Sequence, residues 1–183
     1  MRKIPTLFTR DPDDLRKVTR DVHPACGWVL DGEGEPTRKY DGTCVRLDET
    51  GIWWARREVK ADKTAPAGFQ AVQQDPATGK TVGWEPVEQS PFAKVFAQAI
   101  AAQPDLPAGT YELCGPKVNG NPEAYEGHRL VRHETAEVLD GVPRDYDGLM
   151  AWLLDHPQYE GLVWHHPDGR MAKLKYRDAL ASK

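Results

Sequence analysis

The chain has 183 residues, of which 39% are hydrophobic and 28% charged, with a formal net charge of −4. That length sets an expectation of one folded domain over residues 1–183 with a core of modest size. No apolar run approaches the ~20 residues that cross a bilayer, and the basic start, Met1 to Arg10, has no apolar stretch of the secretory kind, so a cytoplasmic protein without a membrane partner is expected.

In chain order, Asp13 to Thr19 has helix-like polarity, with Asp11 as a cap and Pro12 suited to a first helical position. Gly27 to Leu30 reads as a short strand, followed by a turn at Asp31-Gly32-Glu33-Gly34. Thr43 to Leu47 and Gly51 to Arg57 read as two strands of a hairpin joined across Asp48-Glu49-Thr50-Gly51. Lys60 to Lys80, rich in Ala, Pro, Gly and Gln, reads as an irregular loop. Ser90 to Gln103 is the clearest helix: Ser90 caps it, Pro91 opens it, and Phe92, Val95, Phe96, Ala99 and Ile100 form one apolar face.

Gly109 to Cys114 follows as a strand and Gly115 to Pro122 as a turn. Short strands are expected at Leu130 to Val131 and Glu137 to Leu139, and a helix at Asp147 to Asp155. Gly161 to His165 and Met171 to Lys175 close the pattern as strands around His166-Pro167-Asp168-Gly169. Short hairpin strands with about three helices predict an α+β fold with antiparallel sheets.

The cysteines, Cys26, Cys44 and Cys114, lack C-x-x-C spacing and read as free thiols in a reducing compartment. His23 and Cys26 have H-x-x-C spacing, so a zinc site completed by Cys44 and Cys114 is the alternative to small core residues and a loop histidine. An acidic chain is a poor overall match to a nucleic acid, but its charge is uneven. Arg56 to Lys60, Arg129 to His133 and Arg170 to Arg177 are basic, while Asp11 to Asp14 and Asp31 to Glu35 are acidic.

Four fragments carry the chemistry. Lys39-Tyr40-Asp41-Gly42 puts a lysine before a tight turn, as a poised nucleophile requires. Glu112 in Tyr-Glu-Leu-Cys-Gly and Glu160 in Glu-Gly-Leu-Val-Trp are carboxylates for a ribose and a metal. Lys173-Leu174-Lys175 supplies a cation pair for a phosphate. Taken singly, Asp-Gly is a turn, Glu160-Gly161 a strand start, and alternating lysines the solvated side of a strand. Their order in one short chain gives them weight.

These fragments resemble the covalent nucleotidyltransferase superfamily of ATP-dependent RNA and DNA ligases and mRNA capping enzymes. Within it, the chain is similar to the 5′-to-3′ RNA ligase family that includes the vertebrate RNA ligase. The resemblance also rests on Trp54-Ala55-Arg56, Gly83-Trp84-Glu85-Pro86-Val87 and Asn119-Gly120-Asn121-Pro122, and runs over about residues 35 to 178. It implies the ligase adenylation fold, antiparallel sheets flanked by helices. Lys39 would become AMP-linked and Arg56 would contact the nucleotide or the RNA end. Glu112 would bind the ribose or help organise the site, and Glu160 would support Mg²⁺ or Mn²⁺. Lys173 and Lys175 would contact the α-phosphate, and His133 lies in the region of the residue that stacks on adenine.

The implied activity is ATP-dependent sealing of RNA ends that carry a 5′-phosphate and a 3′-hydroxyl, through lysyl-AMP. The alternatives are a capping or AMP-transferring enzyme that does not seal, and an inactive module that binds RNA ends. The sequence after Lys175 is too short for the OB-fold domain of DNA ligases and capping enzymes, so a minimal catalytic domain without that fold is expected.

Overall fold

The computed structural model describes residues 1–76 and 78–182. In chain order its elements are β1 (Phe8–Arg10), β2 (Val18–Val22), α1 (Gly27–Leu30), β3 (Glu35–Lys39), β4 (Thr43–Leu47) and β5 (Trp53–Val59). There follow β6 (Gln70–Gln74), β7 (Thr81–Pro86), α2 (Ala93–Ala102), β8 (Gly109–Cys114) and β9 (Arg129–Arg132). The last are α3 (Tyr146–Asp155), β10 (Gly161–His165), β11 (Met171–Lys175) and α4 (Tyr176–Ala181). All pairings between these strands are antiparallel, so the protein is α+β with antiparallel sheets. Among the described residues no helix is long and apolar enough to cross a membrane.

The chain divides into two compact units. One holds Met1–Lys3 and Asp41–Thr135; the other holds Ile4–Tyr40 and Ala136–Lys183. The boundary falls inside the Lys39-Tyr40-Asp41-Gly42 motif, between Tyr40 and Asp41.

The first unit is a six-stranded sheet in the order β6-β7-β5-β4-β8-β9. Successive side chains of a strand point to opposite faces, and directly paired residues share a face. Val45 pairs with Ala55 and Tyr111, which puts all three on one face. That face packs with Leu113, Leu130, and Val95, Phe96 and Ala99 of α2 into the unit's core. The other face carries Cys44, Arg46, Trp54, Arg56, Trp84, Thr110 and Glu112, because Arg46 pairs with Trp54 and Thr110, Cys44 with Glu112, and Arg56 with Trp84.

The second unit contains a three-stranded sheet in the order β11-β10-β3, and the β1-β2 pair. Leu162 pairs with Leu174 and with Arg38, and Trp164 with Ala172. Leu162, Trp164, Ala172 and Leu174 pack with Leu7, Phe8, Val29, Leu149 and Leu153 into a second core. The alternate residues, Lys39, Lys173 and Lys175, therefore share the opposite face.

Several sequence expectations need correction. The helix expected over Asp13 to Thr19 is absent. Asp11 accepts from the backbone nitrogens of Asp13 and Asp14, and Asp14 from that of Arg16, so short acidic side chains hold a turn in place of a helix. Val18 to Val22 then joins the sheet pair. Gly27 to Leu30 is one helical turn, since a short apolar run has no period that separates helix from strand. Gln70 to Gln74 is an edge strand inside the stretch read as loop, whose Ala77 lies outside the described residues. Glu137 to Leu139 contributes a single bridge, Val138 to Thr37, with no strand of its own. The expected helix at residue 147 begins at Tyr146, capped by Asp145, whose carboxylate accepts from the Gly148 nitrogen at 2.9 Å.

Candidate functional site

The second unit gathers four of the candidate residues. In the central strand β10, Gly161 is paired on one side with Lys39 of β3 and on the other with Lys175 of β11. Two residues along, Val163 is paired with Thr37 and Lys173. Residues more than 120 positions apart thus become neighbours by sheet register alone. Glu160 directly precedes β10, where its carbonyl accepts from the Tyr176 nitrogen at 2.8 Å.

The Glu160 carboxylate lies between two ammonium groups. Lys39 Nζ donates to its Oε2 at 2.5 Å, and Lys175 Nζ donates to its Oε1. All three side chains are mostly buried. Burial pushes the Glu160 carboxyl upward, but attraction to Lys39 and hydrogen bonds from Lys175 and Lys39 outweigh it and hold the group below its ordinary range. Lys173 stands on the other side of the balance. Its pKa falls from 10.5 to about 8, first through burial and then through repulsion from Lys175 and Lys39, which Glu160 and Asp178 only partly offset.

Two structural details hold this geometry. Gly161 has φ +154, and a Cβ there would come within 2.2 Å of the Leu174 carbonyl oxygen and 2.7 Å of Lys175 Cα. Only glycine lets β11 approach so closely. Asp178, fully buried in the first turn of α4, accepts from the Lys175 backbone nitrogen at 3.0 Å and from Arg10 at 2.8 Å. It fixes the end of β11 from which Lys175 projects.

In the first unit, Glu112 and His133 come together. His133 Nε2 lies 3.0 Å from Glu112 Oε2, and its Nδ1 lies 3.0 Å from the Thr110 hydroxyl. A neutral ring protonated on Nε2 satisfies both: it donates to the carboxylate and accepts from the hydroxyl. The ring is thereby fixed at both edges. Arg56, on the same face of the sheet, donates to the Met1 carbonyl and lies over the Trp84 ring at 5.4 Å. Burial lowers its pKa, with Cys44 acting in the opposite direction.

The Asp41-Gly42 turn is clamped within the first unit. The Asn119 side-chain amide donates to Asp41 Oδ1 at 2.8 Å and to the Gly42 carbonyl at 2.9 Å. Glu123 accepts from the Asp41 nitrogen at 2.9 Å. The Asn119-Gly120-Asn121-Pro122 turn is thus linked by hydrogen bonds to the Asp41-Gly42 end of the lysine motif, across a sequence separation of 77. Asn121 serves its own loop, bonding both ways with the Tyr125 backbone.

Sequence reasoning did not single out Thr110, Glu123, Arg10 or Asp178. Thr110 was within reach, since strand alternation puts it on the face of Glu112. Arg10 and Asp178 are 168 residues apart and carried no local signal. None of the three cysteines forms a disulfide. Burial raises Cys26 to about 11, which makes it inert. Among the described residues no cluster of three or more His, Cys, Asp or Glu side chains is placed to hold a metal, so the zinc alternative has no set of ligands.

No family model matches the chain. It is similar to RNA ligase 1 of Rattus norvegicus, with 23% identity over 210 aligned positions that cover 75% of this chain and 65% of that protein. It is also similar to RNA ligase 1 of Mus musculus, with 33% identity over 84 positions that cover 41% of this chain and 26% of that protein. The chain thus spans less than two thirds of the length of the relatives it matches.

Proposed function

We propose that this chain is an ATP-dependent RNA ligase of the covalent nucleotidyltransferase superfamily, and that its residues form the adenylation domain. The observation that carries the proposal is the Lys39-Glu160-Lys175 cluster with Lys173 beside it. Similarity to two mammalian proteins named RNA ligase 1 supports the substrate class.

The chemistry follows from the residues. The Lys39 amine attacks the α-phosphorus of ATP, the bond to the β-phosphate oxygen breaks, and pyrophosphate leaves. The amine must shed a proton to do this, and repulsion among the lysines that share this face favours the neutral form. Lys173 and Lys175 bring positive charge to the same face, where it opposes the negative charge that builds on the phosphoryl oxygens. A 5′-phosphate oxygen of RNA then attacks the phosphorus of lysyl-AMP, and the P–N bond breaks. Finally a 3′-hydroxyl attacks the 5′-phosphorus, AMP leaves and a phosphodiester forms. Glu112, His133 and Arg56 are the proposed contacts of the nucleotide.

Glu160 fits a hard divalent cation. Each carboxylate oxygen keeps lone pairs beyond the one given to a lysine. Mg²⁺ is commonly held by one or two carboxylates with water and phosphate oxygens completing its shell, so a lone glutamate suffices. Bound there, Mg²⁺ or Mn²⁺ would supply further neutralisation of phosphate charge.

The test is incubation with ATP, Mg²⁺ and 5′-phosphorylated RNA, followed by intact-mass and product analysis. One acid-labile AMP adduct is expected on the parental chain and none on Lys39→Ala, with a sealed RNA product. An adduct that survives Lys39→Ala would refute the assignment. AMP transfer without sealing would indicate the partial transferase.

A further inference from the structure

The face of the six-stranded sheet turned away from its core carries more positive charge than Arg56 alone supplies. Arg46 and Arg56 both lie on it, and each lies over the Trp84 ring, at 4.9 and 5.4 Å. Arg46 also lies over Trp54 at 5.7 Å. Among the described residues, neither guanidinium has a carboxylate within ion-pair distance. That is unusual for two half-buried arginines in an acidic chain, because such groups are ordinarily paired.

The donors on this face are also short of acceptors. Arg46 Nε and Trp84 Nε1 are buried without a hydrogen-bond partner. A buried N–H without a partner is costly, and in a native protein it points to a water or ion that completes the site. Arg46 has one weak partner, the side-chain oxygen of exposed Gln70, at 3.3 Å from a terminal nitrogen. Its Nε and that terminal nitrogen are the two donors of the planar fork that grips a phosphate. A phosphate that displaced Gln70 would satisfy both donors at once, and the tryptophan platform would hold the guanidinium plane.

We propose that Arg46, backed by Trp84 and gated by Gln70, forms a phosphate-binding subsite on this sheet face. The chemistry it takes is a phosphate oxygen, either of the RNA backbone or of a nucleoside polyphosphate. This site lies wholly within the first unit and needs no chemistry at Lys39. The RNA source rests on the ligase reading; the polyphosphate source does not.

The experiment uses the full chain carrying Lys39→Ala, which binds without turning over. A labelled 12-nucleotide single-stranded RNA is titrated at several salt concentrations, and ATP and pyrophosphate are titrated separately. If the phosphate belongs to RNA, Arg46→Gln lowers the slope of log affinity against log salt by about 0.7 per lost contact. It also weakens binding roughly tenfold, the scale of one charged hydrogen-bonded contact. Trp84→Phe removes the N–H and narrows the ring platform, and weakens binding with the slope unchanged, while Arg46→Lys keeps the slope. If the phosphate belongs to ATP or pyrophosphate, the same variants weaken those titrations and leave RNA unaffected. Lys94→Gln removes an equal charge from α2, on the core side of the sheet, and changes neither. Loss of RNA binding by the parental chain itself, with polyphosphate binding intact and sensitive to Arg46→Gln, would count against the ligase reading and not against this subsite. Arg46→Gln with parental melting behaviour and parental affinity for every probe, or with an effect no larger than that of Lys94→Gln, would overturn the proposal.

Discussion

Lys173 offers a test that separates what the site costs the fold from what it does. Replace it with methionine, which keeps the linear stem and removes the charge. The lysine titrates at about 8 in the folded chain against an ordinary 10.5. At ~1.36 kcal/mol per pH unit, that difference corresponds to about 3 kcal/mol disfavouring the ammonium. The group retains some contact with water, so about half of that, roughly 1–2 kcal/mol, is the reasonable expectation. The sign follows from proton counts. Below pH 8 the ammonium is present folded and unfolded, and the whole penalty is felt. Between about 8 and 10.5 the unfolded chain binds more protons, so the parental protein gains stability as pH rises. Lys173→Met should therefore be more stable than the parental chain at pH 7, with the gain fading as pH rises above 8. Urea denaturation at pH 7, 8.5 and 10 measures this. AMP transfer by the same variant should fall sharply if Lys173 meets the α-phosphate. A variant no more stable at pH 7, or a gain that persists unchanged at pH 10, would refute the reasoning.

Other substitutions probe the same framework. Glu160→Gln leaves Lys39 and Lys175 without their shared carboxylate and should cost about 1–3 kcal/mol at pH 7, less than a fully buried pair would. Because the folded carboxyl titrates below its ordinary value, the gap should close as pH falls through the folded pKa, which melts from pH 7 to pH 3 would follow. Gly161→Ala forces β10 and β11 apart at the Leu174 carbonyl and should cost about 2 kcal/mol or more, with AMP transfer falling in parallel. Asn119→Ala removes both amide bonds to the Asp41-Gly42 turn and should cost about 1–2 kcal/mol in a denaturation experiment.

Elements whose signal is local were legible in the sequence. The strands Gly109–Cys114, Gly161–His165 and Met171–Lys175 were expected with the bounds they have, since turn residues flank each of them and two bear a dense apolar face. The strand that bears Lys39, Glu35–Lys39, was not foreseen. Its sequence, Glu-Pro-Thr-Arg-Lys, has no apolar period, and it is a strand because β10 pairs with it along its whole length. The same limit applies to the candidate site. Residue type and order pointed to Lys39, Glu160, Lys173 and Lys175, but nothing in the chain encodes that Gly161 would stand level with both Lys39 and Lys175. That is a matter of register, which long-range pairing sets. Asp178 was invisible for another reason: its partners are the backbone at Lys175 and a side chain near the opposite end of the sequence.

Each unit, by itself, places cations where folding alone would not. In the second, three lysines share a face with one carboxylate, and Lys173 is left without a side-chain acceptor among the groups that set its titration. In the first, two arginines lie over one tryptophan ring with no acidic partner among the described residues. A core optimised for stability would pair or omit such groups, since an uncompensated half-buried charge is a standing penalty. Other arginines of the chain do have acidic partners: Arg20 with Asp147, Arg16 with Asp14, Arg170 with Asp168. Positive charge left unmatched on these sheet faces is what a polyanionic ligand would relieve. It locates ligand-binding energy in the residues the fold itself would gain by losing.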